Sequence, residues 1–321
     1  MYRRSRLAGI LGCAATLAMV GCATNSSVTP LTGLTTQQQA QKMVPSGPGW
    51  KEEGGVLYHV PHYMATVQMA RQQAKVQPAI LLSYGGGPVL LKPHMYLIFW
   101  GYQTIGDPNS VKPLLERYAR VIGGSKLNNI YTQYSEKSGS KTLYIGNALK
   151  QRRGIWEDDT NSVPSSPTDA QVAQEALNGV AHFGYDPNGS YVVATPHNHN
   201  TSGFGSSFCA YHGATYGSGK LVAYTNLPYM PDAGANCGSN FISPPSDESG
   251  ADEGVTIVEG HEYGESVTDP NPPSGWYNFS YGEIGDLCAW TNVQNDPFRT
   301  YSYSAQPMWS NASQSCVHSY P

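Results

Sequence analysis

The chain has 321 residues, and its 19 lysine and arginine side chains stand against 23 aspartate and glutamate side chains. Residues 1–22 contain three arginines and no acids, so the chain without them has a net charge of −7 before histidine is counted. Nucleic acids and anionic lipid surfaces are bound through basic patches, so neither is expected to be the main partner of such an acidic chain.

The first segment carries a predicted export signal. Residues 1–6 are basic, residues 7–20 are uncharged and mostly apolar, and small residues follow, which is the order of a signal peptide. The apolar run is shorter than the roughly 18–20 residues that a membrane-spanning helix needs. Residues 19–22 read Met-Val-Gly-Cys and resemble a bacterial lipobox, whereas ordinary cleavage would fall after Ala23. We favour a lipid anchor at Cys22 and expect an exported protein, either an outer-membrane lipoprotein or an extracellular one.

Two further units follow the predicted signal peptide at residues 1–22. Residues 23–78 are expected to form a flexible leader or propeptide-like segment, because residues 23–55 are rich in Thr, Ser, Gln, Gly and Pro without sustained periodicity. A short helix is predicted within this segment, over residues 62–74. Residues 79–321 are expected to form one main domain, which is within the size that a single core supports.

The main domain contains both predicted strands and predicted helices. Short apolar or aromatic runs indicate buried strands, whereas apolar residues three or four apart after a turn or capping residue indicate amphipathic helices. The predicted strands cover residues 95–100, 142–145, 191–195 and 221–224, and the predicted helices run from Val111 to Val121, from Thr168 or Asp169 through Val180, and through the stretch before Pro270. This mixture predicts an α+β fold.

The most informative stretch is V-T-I-V-E-G-H-E-Y-G-E-S-V-T-D-P at residues 255–270. The residue before a proline is pushed out of the helical region, so Pro270 is expected to end the helix. Residues four apart share one helix face, so His261 and Glu265 can hold one metal ion, and Glu262 can act on a water molecule beside it. This is the arrangement of an H-E-x-x-H zinc motif with a carboxylate in place of the second histidine.

A second acidic element, G-E-I-G-D, follows this helix at residues 282–286. The helix and the element together resemble thermolysin-like zinc peptidases, in which an E-x-x-x-D element comes after the helix at a comparable interval. The resemblance implies a zincin-like mixed sheet, Glu283 as the third metal ligand, and Asp286 as the acceptor that orients His261. It also implies that Zn²⁺ lowers the pKa of water towards ~7 and that Glu262 is the general base. The spacing here, E-x-x-D, is one residue shorter than in that group.

The ligand chemistry leaves two functions open. Two carboxylates and one histidine formally neutralise Zn²⁺, and oxygen-rich sites also suit Ca²⁺ or Mn²⁺. One expectation is a metal-dependent hydrolase, foremost a zinc metallopeptidase that acts on a peptide or protein. The alternative is a non-catalytic cell-envelope, matrix-binding or cell-wall glycan-binding protein with a structural metal. Candidate donors to an oxyanion are His197, His199 and His212, and candidate glycan-contacting aromatics are Trp290, Tyr301, Tyr303 and Trp309.

Four cysteines lie beyond the signal region, and an even number in an exported chain favours disulfides. Three pairings are open. We predict Cys209–Cys237 and Cys288–Cys316, because each loop then braces one side of the helix that carries His261. No C-x-x-C spacing occurs, so a cysteine-ligated zinc is not indicated.

Several segments together resemble a known family. Residues 203–213, G-F-G-S-S-F-C-A-Y-H-G, resemble the F-C-x-x-H-G region of the plant exordium (phosphate-induced) protein family, and residues 86–90 are similar to its early G-G-P-V-L segment. Exported bacterial proteins related to that family resemble this chain more closely, at residues 224–229, 260–263, 282–286 and 288–290. The resemblance spans residues 84–316. It implies an extracellular protein and no agreed reaction.

Overall fold

The computed structural model describes residues 49–59, 62–73, 81–242 and 246–321. The predicted signal peptide and the lipobox at Cys22 lie outside the described residues. The described helices are α1 (Val67–Gln73), α2 (Tyr102–Ile105), α3 (Val111–Val121), α4 (Asp169–Phe183) and α5 (Glu253–Thr268). The described strands are β1 (Trp50–Glu53), β2 (Val56–His59), β3 (His62–Ala65), β4 (Ser83–Tyr84), β5 (His94–Trp100), β6 (Ser135–Ser138), β7 (Lys141–Tyr144), β8 (Arg152–Asp158), β9 (Gly189–Ala194), β10 (Phe208–Gly217), β11 (Lys220–Leu227), β12 (Trp276–Tyr277), β13 (Gln294–Phe298), β14 (Tyr301–Ala305), β15 (Met308–Ser310) and β16 (Ser315–Val317).

An eight-stranded mixed sheet forms the centre of the fold. Its strand order is β1-β2-β10-β11-β9-β5-β8, and β3 pairs with β10 in addition. The pairs β11–β9, β9–β5 and β5–β8 are parallel, whereas the pairs that involve β1, β2, β3 and β10 are antiparallel. The predicted α+β class is therefore confirmed. Among the described residues, no helix combines the length and apolar character that crossing a membrane requires.

The sheet has helices on both faces. Successive strand residues point to opposite faces, and along β5 the side chains of Leu97 and Phe99 enter one apolar cluster while those of Ile98 and Trp100 enter the other. Apolar residues of α3 and α5 belong to the first cluster, and those of α4 belong to the second. Helix α5 thus lies in the larger core, packed between the sheet and the loop-rich C-terminal region.

Helix α5 is buried along its whole length, from Glu253 to Thr268. Two glycines allow this close packing. A Cβ atom at Gly260 would lie 2.7 Å from the hydroxyl oxygen of Tyr118, and one at Gly264 would lie 2.9 Å from that of Tyr131. Any larger residue at either position would push these tyrosines away. The two glycines therefore let α5 pack closely against neighbouring segments, and this packing places the polar motif residues at the centre of the molecule.

Most predicted elements of the main domain are present. The predicted strands correspond to β5, β7, β9 and β11, and the helix before Pro270 ends at Thr268. Helix α4 begins with the predicted cap: the Thr168 side chain accepts a hydrogen bond from the backbone of Gln171, whose side chain accepts one from the Thr168 backbone. Local capping chemistry and apolar periodicity were sufficient for these elements.

The N-terminal boundary differs from the prediction. Residues 23–78 are predicted to be a flexible leader or propeptide-like segment, but residues 50–59 and 62–65 within it supply β1, β2 and β3, of which β2 and β3 pair with β10. The predicted helix over residues 62–74 is shorter, with β3 before it and α1 over Val67–Gln73. Four-residue strands have too few alternating side chains to stand out in the sequence, and their stability comes from pairing with a distant strand.

The two predicted disulfides are confirmed. Cys209 on β10 is bonded to Cys237 at the end of the 3₁₀ segment Met230–Cys237. Cys288, in the 3₁₀ turn Asp286–Cys288, is bonded to Cys316 on β16. Disulfides form and persist in oxidising compartments, so this pair indicates an extracytoplasmic environment.

Candidate metal centre

The α5 motif faces a histidine on the neighbouring strand β10. Within α5, His261 Nε2 lies 3.0 Å from Glu265 Oε1. The other oxygen, Glu265 Oε2, lies 3.3 Å from Nδ1 of His212, and Glu262 Oε2 lies 3.5 Å from the same nitrogen. One helix and one strand therefore bring two imidazoles and two carboxylates together in the core.

The loop after β12 adds two more carboxylates. Glu283 Oε1 lies 3.4 Å from His212 Nε2, and Asp286 Oδ1 lies 3.7 Å from His261 Nε2. The loop is attached to α5 through its backbone, since the Asp286 N–H donates to Glu265 Oε1 over 3.0 Å. Asp286 is the only one of these side chains with appreciable exposure, 15 %, against 0–1 % for the others. The centre therefore approaches solvent on the side of Asp286.

A glycine lets this loop come close to the helix. A Cβ atom at Gly285 would lie 2.7 Å from His261 Nδ1 and 2.9 Å from Glu265 Oε1. A side chain there would collide with both motif residues. The loop is also tied to the C-terminal strands, because the Trp309 N–H donates to the Ile284 carbonyl over 3.0 Å.

The donor atoms form two groups that suit a metal ion. One group comprises His261, Glu265 and Asp286, the other comprises His212, Glu262 and Glu265, and within each group the atoms lie within 4.8 Å of one another. A tetrahedral ion with ligands at about 2.0–2.1 Å holds its donors about 3.3 Å apart. The separations of 3.0 and 3.7 Å in the first group lie on either side of that value, and those of 3.3 and 3.5 Å in the second group lie at it or just above it.

Burial and mutual charge shift the pKa values of these groups. Burial raises the pKa of Glu262, and raises that of Glu283 to about 8, while His212 opposes both shifts. Burial acts on Glu265 in the same direction, but the combined effect of His261 and His212 outweighs it and holds the pKa of Glu265 below its usual range. Burial lowers the pKa of His261, and Glu265 overcomes this and raises it to about 9. The two histidines therefore favour the ionised form of Glu265.

Gln306 contacts the far side of the His261 ring. Its Nε2 donates to the Gly285 carbonyl over 3.0 Å and lies 3.0 Å from His261 Nδ1. A histidine that holds a metal through Nε2 carries its proton on Nδ1 and needs an acceptor there. If the Gln306 side-chain amide rotates by a half turn, its Oε1 can accept from His261 Nδ1–H, and the hydrogen bond from Nε2 to the Gly285 carbonyl is lost. Gln306 can therefore contact the ring whether Nδ1 carries a proton or not.

The structure places the predicted site residues together but divides their roles differently. Asp286 is predicted to accept from His261 on the side away from the metal, yet its Oδ1 lies 3.7 Å from Nε2, the nitrogen that also faces Glu265, and it shares a candidate group with both residues. Glu283, the predicted third ligand, faces His212 instead and belongs to neither group. The reason is the shorter spacing: the Glu283 N–H donates to Asp286 Oδ2 over 3.1 Å in a tight turn that directs the two side chains to different histidines.

His212 is the residue whose position could not be inferred from the sequence. The sequence offers His212 as one of three candidate oxyanion donors. The feature that could have pointed to it is a histidine within a mostly apolar strand, since every residue of β10 from Phe208 to Thr215 is buried. The other two lie elsewhere, in a loop held by Asp232: His197 Nδ1 is 2.5 Å from Asp232 Oδ1, and His199 Nδ1 is 2.9 Å from the His197 carbonyl oxygen. Neither belongs to a metal-binding group of the described residues.

Three of the four aromatic residues predicted to contact a glycan lie in the core, and the fourth, Tyr301, is partly buried. Trp290, Tyr303 and Trp309 are 8 %, 0 % and 4 % exposed, and the Trp290 Nε1–H donates to the Ala65 carbonyl over 2.8 Å. The groove of exposed aromatics expected for glycan binding is therefore not formed by these three side chains. Two cavities of about 620 and 650 Å³ border the segment Met230–Cys237, and no residue of the metal centre lines either.

Comparisons with family models, with curated proteins and with solved structures give no match for this chain. The resemblance to the exordium family therefore stays a prediction.

Proposed function

We propose that this chain is an exported metal-dependent hydrolase, a zinc metallopeptidase of zincin-like fold. The observation that carries the proposal is the group formed by His261, Glu265 and Asp286, whose donor atoms are spaced as around one ion. Two ligands come from one turn of a buried helix and the third comes from a later loop. Catalytic zinc sites have three protein ligands and keep a fourth coordination position for water or substrate. The partial exposure of Asp286 indicates the side from which water or substrate would reach that position.

Glu262 is the proposed general base. It follows His261 on α5, and its Oε1 has no hydrogen bond, so this oxygen is available to accept a proton. A zinc ion bound at the centre would lower the pKa of water and polarise the carbonyl of a peptide bond. Glu262 takes the proton from the attacking water and delivers it to the leaving amine. The other carboxylate oxygen faces β10, with 3.5 Å between Glu262 Oε2 and His212 Nδ1.

The proposed substrate is a peptide or protein that approaches from the Asp286 side. The loop that carries Asp286 also presents Phe279, which is 86 % exposed and whose ring centroid lies 5.3 Å from that of Tyr277. An exposed phenylalanine offers apolar contact to a substrate side chain. The proposed location is the outer membrane through a lipid at Cys22, or the extracellular space. Detergent-phase partition that is lost in Cys22→Ala would distinguish the first location from the second.

The burial of the centre favours one alternative, a non-catalytic envelope or matrix protein with a structural metal. A structural metal needs no path for a substrate, and the side chains of the centre other than Asp286 are at most 1 % exposed, namely His212, His261, Glu262, Glu265 and Glu283. Both proposals require a bound metal. They differ in whether a substrate reaches it.

The deciding experiment assays zinc-loaded protein on a peptide library with mass-spectrometric detection. The hydrolase proposal expects cleavage that a chelator abolishes, loss of cleavage in Glu262→Gln, and zinc retained at the His261 group in that variant. Glu259→Gln is the matched control, since Glu259 is equally buried on the same helix and belongs to neither ligand group. Zinc-loaded wild-type protein that cleaves no peptide, yet loses thermal stability on chelation, would overturn the hydrolase and support the structural metal.

A further inference from the structure

We propose that the centre is dinuclear: a second divalent cation lies between His212, Glu262 and Glu265, and Glu265 bridges it to the ion held by His261. The inference rests on the metal centre of the proposed function and adds a second ion to it. It also changes the role of Glu283, which becomes the residue that orients His212.

The two oxygens of Glu265 point to different histidines. Oε1 lies 3.0 Å from His261 Nε2, and Oε2 lies 3.3 Å from His212 Nδ1. A carboxylate that presents one oxygen to each of two ligand sets is the usual bridge in two-metal sites, where the ions are about 3.5–4 Å apart. A single ion would use only one of these two sets.

His212 and Glu262 are polar groups that are buried without hydrogen bonds of normal geometry. Neither nitrogen of His212 and neither carboxylate oxygen of Glu262 has a hydrogen-bond partner, and both side chains are 0 % exposed. Buried polar atoms are nearly always paired, and each one left unpaired costs about 1–3 kcal/mol. One cation between His212 Nδ1, Glu262 Oε2 and Glu265 Oε2 would satisfy two such atoms at once, one on His212 and one on Glu262.

The remaining nitrogen of His212 then has a defined partner. With Nδ1 on the cation, Nε2 carries the proton, and Glu283 Oε1 lies 3.4 Å from it. A carboxylate that accepts the second ring N–H of a metal-bound histidine sets its tautomer and orientation. Glu283 therefore positions the ligand of the second ion, which explains why it faces His212 while Asp286 faces His261.

The density of carboxylates also favours a second cation. Glu262, Glu265, Glu283 and Asp286 lie around two histidines in a site that is almost closed to water. Buried carboxylates are tolerated when they are paired with cations or bind metals, and a second cation would pair with those that face His212. Glu262 Oε1 still faces no ligand and keeps its role as proton acceptor.

The test is metal stoichiometry in matched histidine variants. Metal-free full-length protein is loaded with Zn²⁺, dialysed, and analysed for zinc per chain. Wild type is expected to hold two ions, His212→Ala one, and His197→Ala two, since His197 lies in the separate Asp232 loop. A single ion in wild-type protein, or an unchanged content in His212→Ala, would overturn the second site.

A measurement on wild-type protein covers the case in which His212→Ala does not fold. Two Mn²⁺ ions that share a carboxylate interact magnetically, so Mn²⁺-loaded protein should give an exchange-coupled electron paramagnetic resonance spectrum. The six-line signal of isolated Mn²⁺ at full loading overturns the bridge. Peptide cleavage by the same preparations separates the two proposals: two ions without cleavage contradict the hydrolase alone, and one ion with cleavage contradicts the second site alone.

Discussion

Glu265 on α5 and His212 on β10 are in contact in the centre of the protein, with 3.3 Å between Glu265 Oε2 and His212 Nδ1. This contact joins the helix motif to the sheet. Because Glu265 also contacts His261 through its other oxygen, it belongs to both ligand groups. Removal of the Glu265 carboxylate should therefore affect metal binding more than removal of any other single side chain in the centre.

The division of roles between Asp286 and Glu283 can be tested by metal affinity. Asp286→Asn should weaken zinc binding at the His261 group by more than about 100-fold, because it removes a charged ligand. Glu283→Gln should weaken binding at the His212 group by about 10–100-fold, as for a residue that orients a ligand, and should affect the His261 group less. Competition with a chromophoric chelator measures both constants. A larger loss in Glu283→Gln would restore Glu283 as the third ligand and move Asp286 behind the histidine.

Gly285 should tolerate no side chain. The added methyl group of Gly285→Ala would meet His261 Nδ1 at 2.7 Å and Glu265 Oε1 at 2.9 Å, so the loop or both ligands must move. We expect zinc affinity to fall at least 10-fold, as measured by the same competition. Gly146→Ala is the control, because its nearest neighbour is the Leu91 carbonyl oxygen at 3.4 Å. Equal zinc affinity in the two variants would show that the loop adapts freely.

The disulfide Cys209–Cys237 should stabilise the strand that carries His212. Its cysteines are 28 residues apart, and closing a loop of that size contributes about 3–4 kcal/mol to the free energy of unfolding. Replacement of both cysteines by serine should lower this free energy by that amount in urea titrations without reductant. Reductant should then have a smaller effect on the double variant than on wild type, since only Cys288–Cys316 remains to be reduced.

A buried acid away from the centre should make stability depend on pH. Glu175 on α4 is 1 % exposed, and burial raises its pKa from 4.5 to about 8, with Asp158 adding in the same direction. A group whose pKa is raised on folding stabilises the protein fully below its unfolded pKa and loses this contribution as pH rises through the folded value. The free energy of unfolding of the wild type should therefore fall by on the order of 3–5 kcal/mol between about pH 4.5 and 8, whereas that of Glu175→Gln should not show this fall.

Urea titrations at several pH values measure this difference between wild type and Glu175→Gln. The glutamine oxygen can still accept the hydrogen bond that Asn178 donates to Glu175 Oε2 over 2.8 Å. Glu116→Gln, partly exposed on α3, should follow the wild-type curve. Parallel curves for Glu175→Gln and wild type would mean that Glu175 ionises as easily when folded as when unfolded.

Local signals were enough to predict the helix that carries the motif. The apolar run before His261, the four-residue spacing to Glu265 and the stop at Pro270 act over neighbouring residues, so they can be read without the fold. The same holds for the Thr168 cap and the strand at β5. The predicted cysteine pairing, one of three that are possible, rests on the expectation that each loop braces one side of the motif helix. Both disulfides of that pairing are present.

Long-range pairing decided the features that the sequence could not supply. The three N-terminal strands are too short to be recognised from the sequence alone. Two of them, β2 and β3, are stabilised by pairing with β10. His212 reaches the centre because β10 lies beside α5, and Asp286 rather than Glu283 faces His261 because a turn of one residue fewer redirects both carboxylates. Helix α5 can be buried completely because its glycines leave room for tyrosines from distant segments, Tyr118 at Gly260 and Tyr131 at Gly264.

Local patterns thus identify the residue types that can bind a metal and place two of them, His261 and Glu265, one helical turn apart. Backbone geometry within a few residues sets this spacing. The packing of distant segments adds His212 to these two residues, turns Glu265 towards two histidines, and closes the cluster to water except at Asp286. Those properties depend on the packing of a helix, a strand and a loop from separate parts of the chain, and no periodicity within one segment encodes such packing.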